Sequence, residues 1–261
     1  MTKNLTWWDN RHIRLQPTMS FVLITHNLSS CAVKIVQHLR QFKDAEIIVV
    51  DDGSEHDHTK TLVDLLTGDS EFLIHSNDLF EILMSNRVGF FAHGKYIAFL
   101  QDDDLLADRR WVVDGIALLE KHEDMGVLGG RDAAEFYGAS PTTKPRIRGN
   151  CTRFEFVQTV NTAPMWVRRS HFLELGGFDE AYAPWMYHSI EFCMRTWLVG
   201  RSVGWYDSGR ASAIPTEKRR TTAGPLGGEC RLRNCEILYQ SFAGSFAEID
   251  RRVAARNAVL R

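Results

Sequence analysis

Three consecutive carboxylates follow an apolar run at residues 96–100, where Gln101 is succeeded by Asp102, Asp103 and Asp104. Neighbouring carboxylates at the end of a strand repel one another unless a cation neutralises them. Oxygen ligands on a tight turn suit Mg²⁺ or Mn²⁺, which leave their other coordination positions to water and to phosphate oxygens. The alternative is a solvated turn in which one aspartate caps the helix that begins near Arg109.

Polar residues also close two apolar runs nearer the N-terminus. Thr25, His26 and Asn27 end the run at residues 20–25, and Asp51 and Asp52 end the run at residues 46–50. A carboxylate at the mouth of a parallel sheet can accept hydrogen bonds from a base N–H or a ribose hydroxyl. A histidine there can stack on a base or donate to a phosphate. An Asx turn and a purely structural histidine are the alternatives.

The elements that must position these groups alternate between strand and helix. Apolar runs predict strands at residues 20–25, 46–50, 72–75 and 96–100, and helical spacing predicts helices at residues 32–42, 60–66, 87–93 and 110–121. Such alternation predicts βαβ units and a parallel sheet. The polar groups follow the strand ends, where open α/β sheets bind their ligands.

The second half of the chain is less regular. It predicts a loop at residues 138–149, a strand at 161–167, a short helix at 170–175, a helix at 189–199 and a strand at 202–206. A flexible loop is expected at residues 211–228, followed by one long helix at 230–260. We therefore divide the chain into an N-terminal extension (1–18), a catalytic domain (19–209) and a basic loop with a C-terminal helical tail (210–261).

The composition is that of one large globular domain with short appendages. The 261 residues are 44% hydrophobic and 25% charged, which excludes disorder over most of the length. We find neither an apolar run long enough to span a membrane nor a secretory signal in the first 16 residues, so we expect a cytoplasmic protein. The five cysteines suit a reducing compartment.

The charge is distributed unevenly. The net charge of −2 argues against general nucleic-acid binding. Residues 210–261 contain ten Lys or Arg and five Asp or Glu, a net of +5, so the preceding residues have a net of −7. A basic tail on an acidic body can contact a phosphorylated ligand, an anionic membrane surface or another subunit, or can simply be solvated.

The order of the motifs resembles that of the GT-A glycosyltransferases of family 2. Four motifs follow one another with the family's spacing: Thr25-His26-Asn27, Asp51-Asp52-Gly53-Ser54, Asn86-Arg87-Val88-Gly89 and Gln101-Asp102-Asp103-Asp104. The second half agrees, with Arg168-Arg169 and then Gly176-Gly177-Phe178-Asp179-Glu180. The resemblance covers residues 19–207. It implies a GT-A fold, an α/β architecture with a mixed, mostly parallel sheet and helices on both faces.

The resemblance implies a transferase that moves a sugar from a nucleoside-diphosphate sugar to a hydroxyl acceptor in glycan or polysaccharide synthesis. By resemblance Asp102 approaches the ribose, Asp103 holds Mn²⁺ or Mg²⁺ on the diphosphate, and Asp104 supports them. The metal neutralises the leaving nucleoside diphosphate.

The remaining donor-binding residues are implied in the same way. His26 packs on the base with Thr25 beside it, and Asp52 binds the edge of the base. Arg87 serves the diphosphate, although the family's Arg-Asn order is reversed here. Gln101 stands where the family has aspartate, and it can hydrogen-bond a hydroxyl without adding charge.

The catalytic base is the largest departure from the family. Many inverting relatives have an acidic base at the position of Ser189, and a serine is no general base near neutral pH. His188 and Glu191 are the candidates, and we favour Glu191. The alternative role of Glu191 is an ion pair with Arg195 at i,i+4.

Aromatic residues precede this segment, and Trp185 and Met186 are expected to contact the acceptor.

Inversion is the favoured outcome, and a retaining GT-A transferase is the first alternative. A sugar nucleotidyltransferase is the second, although Leu28-Ser29-Ser30 lacks the glycine such enzymes have after the first strand. A non-catalytic nucleotide-binding module is the third.

Overall fold

The computed structural model of the chain describes residues 16–106, 108–149, 151–212 and 225–260, without the side chains of 104–106, 210–212, 225 and 226. Most of the predicted N-terminal extension and of the predicted loop at 211–228 lies outside the described residues. The side chain of Asp104 lies outside them as well.

The elements follow the predicted alternation. The strands are β1 (Met19–Thr25), β2 (Ala45–Asp52), β3 (Glu71–Ser76), β4 (Tyr96–Gln101), β5 (Asp104–Leu106), β6 (Met125–Gly129), β7 (Ala133–Glu135), β8 (Arg146–Arg148), β9 (Glu155–Phe156), β10 (Thr159–Val160), β11 (Met165–Arg168), β12 (Ser202–Trp205) and β13 (Arg210–Ser212). The helices are α1 (Ser29–Leu39), α2 (His56–Leu65), α3 (Phe80–Phe91), α4 (Arg110–Lys121), α5 (Arg169–Glu174), α6 (His188–Leu198), α7 (Pro225–Phe242) and α8 (Phe246–Leu260).

The main sheet has eight strands in the order β3-β2-β1-β4-β11-β6-β12-β9. Neighbours from β3 to β4 are parallel, whereas β11 runs antiparallel to both β4 and β6. The predicted mixed, mostly parallel sheet is therefore confirmed. Because β1, β2 and β4 are parallel, the polar residues that follow them emerge at the same edge.

Helices cover both faces of this sheet, as predicted. Phe21 of β1 packs on Trp111 of α4, with ring centroids 5.7 Å apart. Phe99 of β4 packs on Phe172 of α5 at 5.6 Å. Phe21 pairs with Ala98, the residue before Phe99, so the two aromatic rings lie on opposite faces of the sheet. Aromatic side chains therefore pack the helices against both faces of the sheet.

Three predicted elements differ from the structure. The helix expected from Arg87 begins at Phe80 instead. The single long helix expected at 230–260 is two helices, interrupted by a 3₁₀ turn at Ala243–Ser245. Gly244 at the centre of that turn favours a break because glycine is a poor helix former. The segment expected as a loop at 138–149 contains the edge strand β8.

The C-terminal helices pack against the body of the protein. Asn257 of α8 brackets Phe156 of β9, accepting from its N–H at 2.9 Å and donating to its carbonyl at 2.8 Å. Tyr239 of α7 and Phe246 of α8 both contact the buried Phe136. The tail thus covers the far edge of the sheet. No helix in the described part of the chain is long and apolar enough to cross a membrane.

Candidate active site

A cleft of about 420 Å³ opens at the carboxyl ends of β1 and β4. Five of the predicted donor-binding residues line it: Thr25, His26, Gln101, Asp102 and Asp103. Three residues predicted for the acceptor side or for catalysis also line it: Trp185, Met186 and His188. Segments far apart in the sequence therefore meet at one site.

His26 is held in one orientation at the floor of the cleft. Its Nδ1 lies 2.8 Å from the Asp52 carbonyl oxygen, and its Nε2 lies 3.2 Å from the amide nitrogen of Asn27. A neutral ring protonated at Nδ1 satisfies both contacts, since it donates to the carbonyl and accepts from the amide. The backbone N–H of His26 also donates to Asp102 Oδ2 at 3.2 Å, and this hydrogen bond connects the ends of β1 and β4.

Two adjacent carboxyl groups from the end of β4 face the cleft. Asp103 is 4% exposed, and Asp102 is partly buried. Burial raises the pKa of Asp102 to about 7, with the charge of Asp103 adding to the rise and the hydrogen bond from the His26 N–H opposing it. An ionised pair here is therefore costly unless a cation approaches it.

The side chain of Asp52, which was expected to bind the edge of the nucleotide base, does not face the cleft. Asp52 has no exposed surface and does not line the cleft. Its Oδ1 accepts from Ser76 Oγ at 2.6 Å and from the Leu79 N–H at 2.9 Å, and its Oδ2 accepts from the Phe80 N–H at 2.8 Å. The carboxylate therefore fixes the start of α3.

The arginine predicted for the diphosphate does not reach the cleft. Arg87 is exposed on α3 and is absent from the cleft lining, while the preceding Asn86 bonds the backbone of Phe178. Two other arginines line the cleft: Arg131, just after β6, and Arg231 of α7. Sequence motifs did not indicate either, because both approach from distant parts of the chain.

The wall formed by residues 185–187 is strained and firmly anchored. Met186 and Tyr187 have φ angles of 73° and 68°, a left-handed conformation that is costly for residues other than glycine. The fully buried Asn234 of α7 holds this wall. Its amide nitrogen donates to the carbonyls of Tyr182 at 2.8 Å, Trp185 at 2.8 Å and Met186 at 3.0 Å.

The two predicted candidates for the catalytic base, His188 and Glu191, lie in different surroundings. His188 lines the cleft and is 2% exposed, and burial lowers its pKa, opposed by the charge of Glu81. Glu191 is absent from the cleft lining and is 2% exposed. Both of its oxygens bind Arg195, the Oε2 contact being 2.8 Å, so the i,i+4 pair considered as its alternative role is the one that forms. Ser189 does line the cleft.

The sequence did not predict one carboxylate of the cleft, Glu81. Glu81 lies in the first turn of α3, and its Oε1 accepts from Gln101 Nε2 at 3.0 Å and from Thr162 Oγ1 at 3.2 Å. The same oxygen lies 3.6 Å from Nε2 of His188. No motif surrounds Glu81, and only the hydrogen-bonding needs of Gln101 could have pointed to a partner of this kind.

The described side chains contain no group of three or more His, Cys, Asp or Glu arranged to hold a metal ion. Mg²⁺ and its relatives use only one or two protein carboxylates where a substrate phosphate supplies further oxygens. The adjacent carboxyl groups of Asp102 and Asp103 fit that donor set.

The sequence matches the family model described as "Glycosyl transferase family 2" over residues 20–174. No curated protein shows significant similarity to the chain.

Solved structures share the fold. The crystal structure of GalNAc-T7 with UDP, GalNAc and Mn²⁺ superposes with a TM-score of 0.66 at 16% identity, covering 87% of this chain and 50% of that one. The structure of S. aureus TarS 1-349 in complex with UDP-GlcNAc gives 0.62 at 17% identity, covering 85% and 66%. The chain thus spans half to two thirds of the length of these structures. The likeness confirms the GT-A fold.

Proposed function

The chain belongs to glycosyl transferase family 2, and we propose that it transfers a sugar from a nucleoside-diphosphate sugar to a hydroxyl acceptor. The observation that carries this proposal is the cleft at the carboxyl ends of β1 and β4, where His26, Asp102 and Asp103 converge. Open α/β sheets bind ligands at this edge. The cleft also falls within the size range of small-molecule sites.

The donor is proposed to be a uridine-diphosphate sugar, because the two similar structures named above contain UDP or UDP-GlcNAc. The fixed ring of His26 packs on the base beside Thr25, and Asp102 accepts a hydrogen bond from the ribose. Asp52 acts on the base indirectly, since its carbonyl oxygen accepts from His26 Nδ1. We assign it a positioning role.

A divalent cation fits the same floor. Asp103 is proposed to hold Mn²⁺ or Mg²⁺, with Asp102 beside it, and a bound ion would neutralise charge on the leaving diphosphate. The raised pKa of Asp102 supports this assignment, because a carboxyl that is costly to ionise alone is stabilised by a cation.

The cationic side chains of the cleft are proposed to replace Arg87 at the diphosphate. Arg131 Nη1 donates to Gln101 Oε1 and to the Thr162 carbonyl, both at 3.3 Å, so its guanidinium is held at the cleft wall. Arg231 of α7 also lines the cleft. Guanidinium groups bind phosphate oxygens by charge-assisted hydrogen bonds.

The opposite wall is proposed to receive the acceptor. Trp185 packs on Phe80 with ring centroids 4.9 Å apart, and Met186 lies next to it at the cleft. An aromatic ring beside a sugar site provides an apolar face for a sugar ring. We propose direct displacement with inversion, in the synthesis of a glycan or polysaccharide.

A thermal-shift panel of UDP-, GDP- and dTDP-sugars with and without Mn²⁺ tests the function. We expect UDP-sugars to raise the melting temperature, and only in the presence of the cation. An absence of any shift across the panel would contradict the proposal.

Donor hydrolysis separates the alternatives. Release of UDP and free sugar from a UDP-sugar identifies a transferase and excludes a binding module. The anomer of the sugar first released, read by NMR, distinguishes inversion from retention. Formation of a UDP-sugar from UTP and a sugar phosphate would instead identify a nucleotidyltransferase.

A further inference from the structure

The segment in which relatives of this family have their acidic base offers no carboxylate to the cleft. Ser189 lines the cleft but does not take up a proton near neutral pH, and the oxygens of Glu191 are bound to Arg195. An inverting displacement nevertheless needs a group that removes the proton of the attacking hydroxyl.

Glu81 is a cleft carboxylate held on one oxygen only. Oε1 accepts from Gln101 at 3.0 Å and Thr162 at 3.2 Å, with His188 Nε2 at 3.6 Å. Within the part of the chain that the structure describes, Oε2 accepts no hydrogen bond, and the side chain keeps 18% of its surface exposed. One oxygen is therefore fixed, while the other is available to a ligand in the cleft.

The start of a helix is a suitable position for an acidic side chain. Glu81 lies in the first turn of α3, where the helix dipole favours a negatively charged side chain. His188 and Trp185, which line the same cleft, are both buried.

Resting on the proposed function, we propose that Glu81 is the catalytic base of the transfer. The Oε2 atom takes the proton of the acceptor hydroxyl as its oxygen forms a bond to C1 of the sugar. The bond between C1 and the phosphate oxygen breaks, and its electron pair leaves with the nucleoside diphosphate. The proton on Glu81 then passes to solvent.

The same assignment accounts for Gln101, which stands where the family has aspartate. Gln101 donates to Glu81 through Nε2 and accepts from Arg131 through Oε1 at 3.3 Å. The family's aspartate here would put a second carboxylate beside Glu81, and the two charges would repel each other. A glutamine at 101 and a glutamate at 81 are therefore complementary, and α3 supplies the cleft carboxylate that α6 does not.

The test is the Glu81→Gln variant of the full chain, with UDP-GlcNAc and UDP-GalNAc as probes in Mn²⁺ and water as the acceptor. Loss of a general base lowers kcat by roughly 10²–10⁴-fold. We expect a loss in that range for UDP release, while the calorimetric Kd of UDP with Mn²⁺ stays within about twofold of wild type, a ratio worth less than 1 kcal/mol. Glu123→Gln, a change of the same chemistry at an exposed site, is the matched control.

A Glu81→Gln variant that binds UDP and still forms UDP from the UDP-sugar at the wild-type rate overturns the assignment. If that variant does not fold, Glu81→Asp keeps the charge and withdraws it by one methylene. It is expected to lower kcat, and an unchanged kcat overturns the assignment equally. Wild-type protein that binds UDP with Mn²⁺ but releases none from either probe would overturn the proposed function itself, and the assignment with it.

Discussion

At the scale of single residues, the buried carboxylate of Asp52 has become part of the scaffold. The motif that contains it resembles a nucleotide-binding motif, yet both oxygens accept hydrogen bonds from the segment that leads into α3. The sequence could place Asp52 at the end of a strand. It could not show that residues 76–80 fold over it.

Replacing Asp52 with alanine is expected to destabilise the fold. The change leaves two backbone N–H groups and a hydroxyl without their acceptor, which costs on the order of 3 kcal/mol of unfolding free energy. Asp52→Asn should cost less because it keeps one acceptor oxygen. Urea unfolding measures both changes. Unaltered stability with weakened UDP binding would instead indicate direct contact with the base.

A second residue-scale prediction concerns His171, which is fully buried in α5 with Nε2 2.9 Å from Thr196 Oγ1. Burial lowers its pKa to about 4, the charge of Arg201 adds to the effect, and Glu174 opposes it. The folded pKa lies below the unfolded value of about 6.5, so the unfolded chain binds more protons between these values.

This histidine therefore contributes stability that is present above pH 6.5 and is lost as the pH falls toward 4, on the order of 3 kcal/mol in all. Unfolding free energies measured by urea between pH 7.5 and 4.5 should decline, and the decline should be smaller in His171→Gln. Equal acid slopes in the two proteins would show that His171 is not the group responsible.

At the scale of elements, α3 and α7 determine the shape of the cleft. The start of α3 is set by Asp52, 27 residues upstream of the first amide it binds, so a prediction from local helical spacing began the helix at Arg87 and missed Glu81. The anchor on α7 is similarly distant. Asn234 lies 48 to 52 residues from the carbonyls it holds.

Asn234→Ala is expected to loosen the segment at residues 182–187 without unfolding the protein. Three carbonyls lose their donor, and the strained backbone at Met186 and Tyr187 loses its restraint. We expect faster amide exchange in this segment and a loss of about 1–3 kcal/mol in stability. Exchange unchanged at 182–187, measured by mass spectrometry, would exclude this role. Asn257→Ala, which loosens the far end of the tail, is the control.

At the scale of the whole molecule, the sequence predicted four cleft residues at the ends of β1 and β4 and missed three that reach the cleft through contacts between distant segments. Thr25, His26, Asp102 and Asp103 lie in the cleft because parallel strands bring their carboxyl ends to one edge. Glu81, Arg131 and Arg231 have no motif and enter the cleft through the packing of α3, the loop after β6, and α7. Their contribution becomes visible only in three dimensions.

The basic C-terminal tail contacts the rest of the protein through its arginines. Arg256 of α8 pairs with Asp124 at 2.7 Å, and Arg252 donates to the Trp197 carbonyl at 2.6 Å. Part of the excess positive charge thus binds the acidic body. Contact of the tail with an anionic membrane surface or a second subunit stays a prediction.

The central claim, a metal-dependent site for a nucleoside diphosphate on the floor of the cleft, is tested most directly by one calorimetric titration. UDP is titrated into wild-type protein and into Asp103→Asn, each with Mn²⁺ and with a chelator. Asn preserves the shape of Asp103 and removes its charge. The account predicts the tightest binding for the wild type with Mn²⁺, and a Kd at least roughly tenfold weaker, a loss of about 1.4 kcal/mol, in the other three conditions. Equal affinity in all four would contradict it.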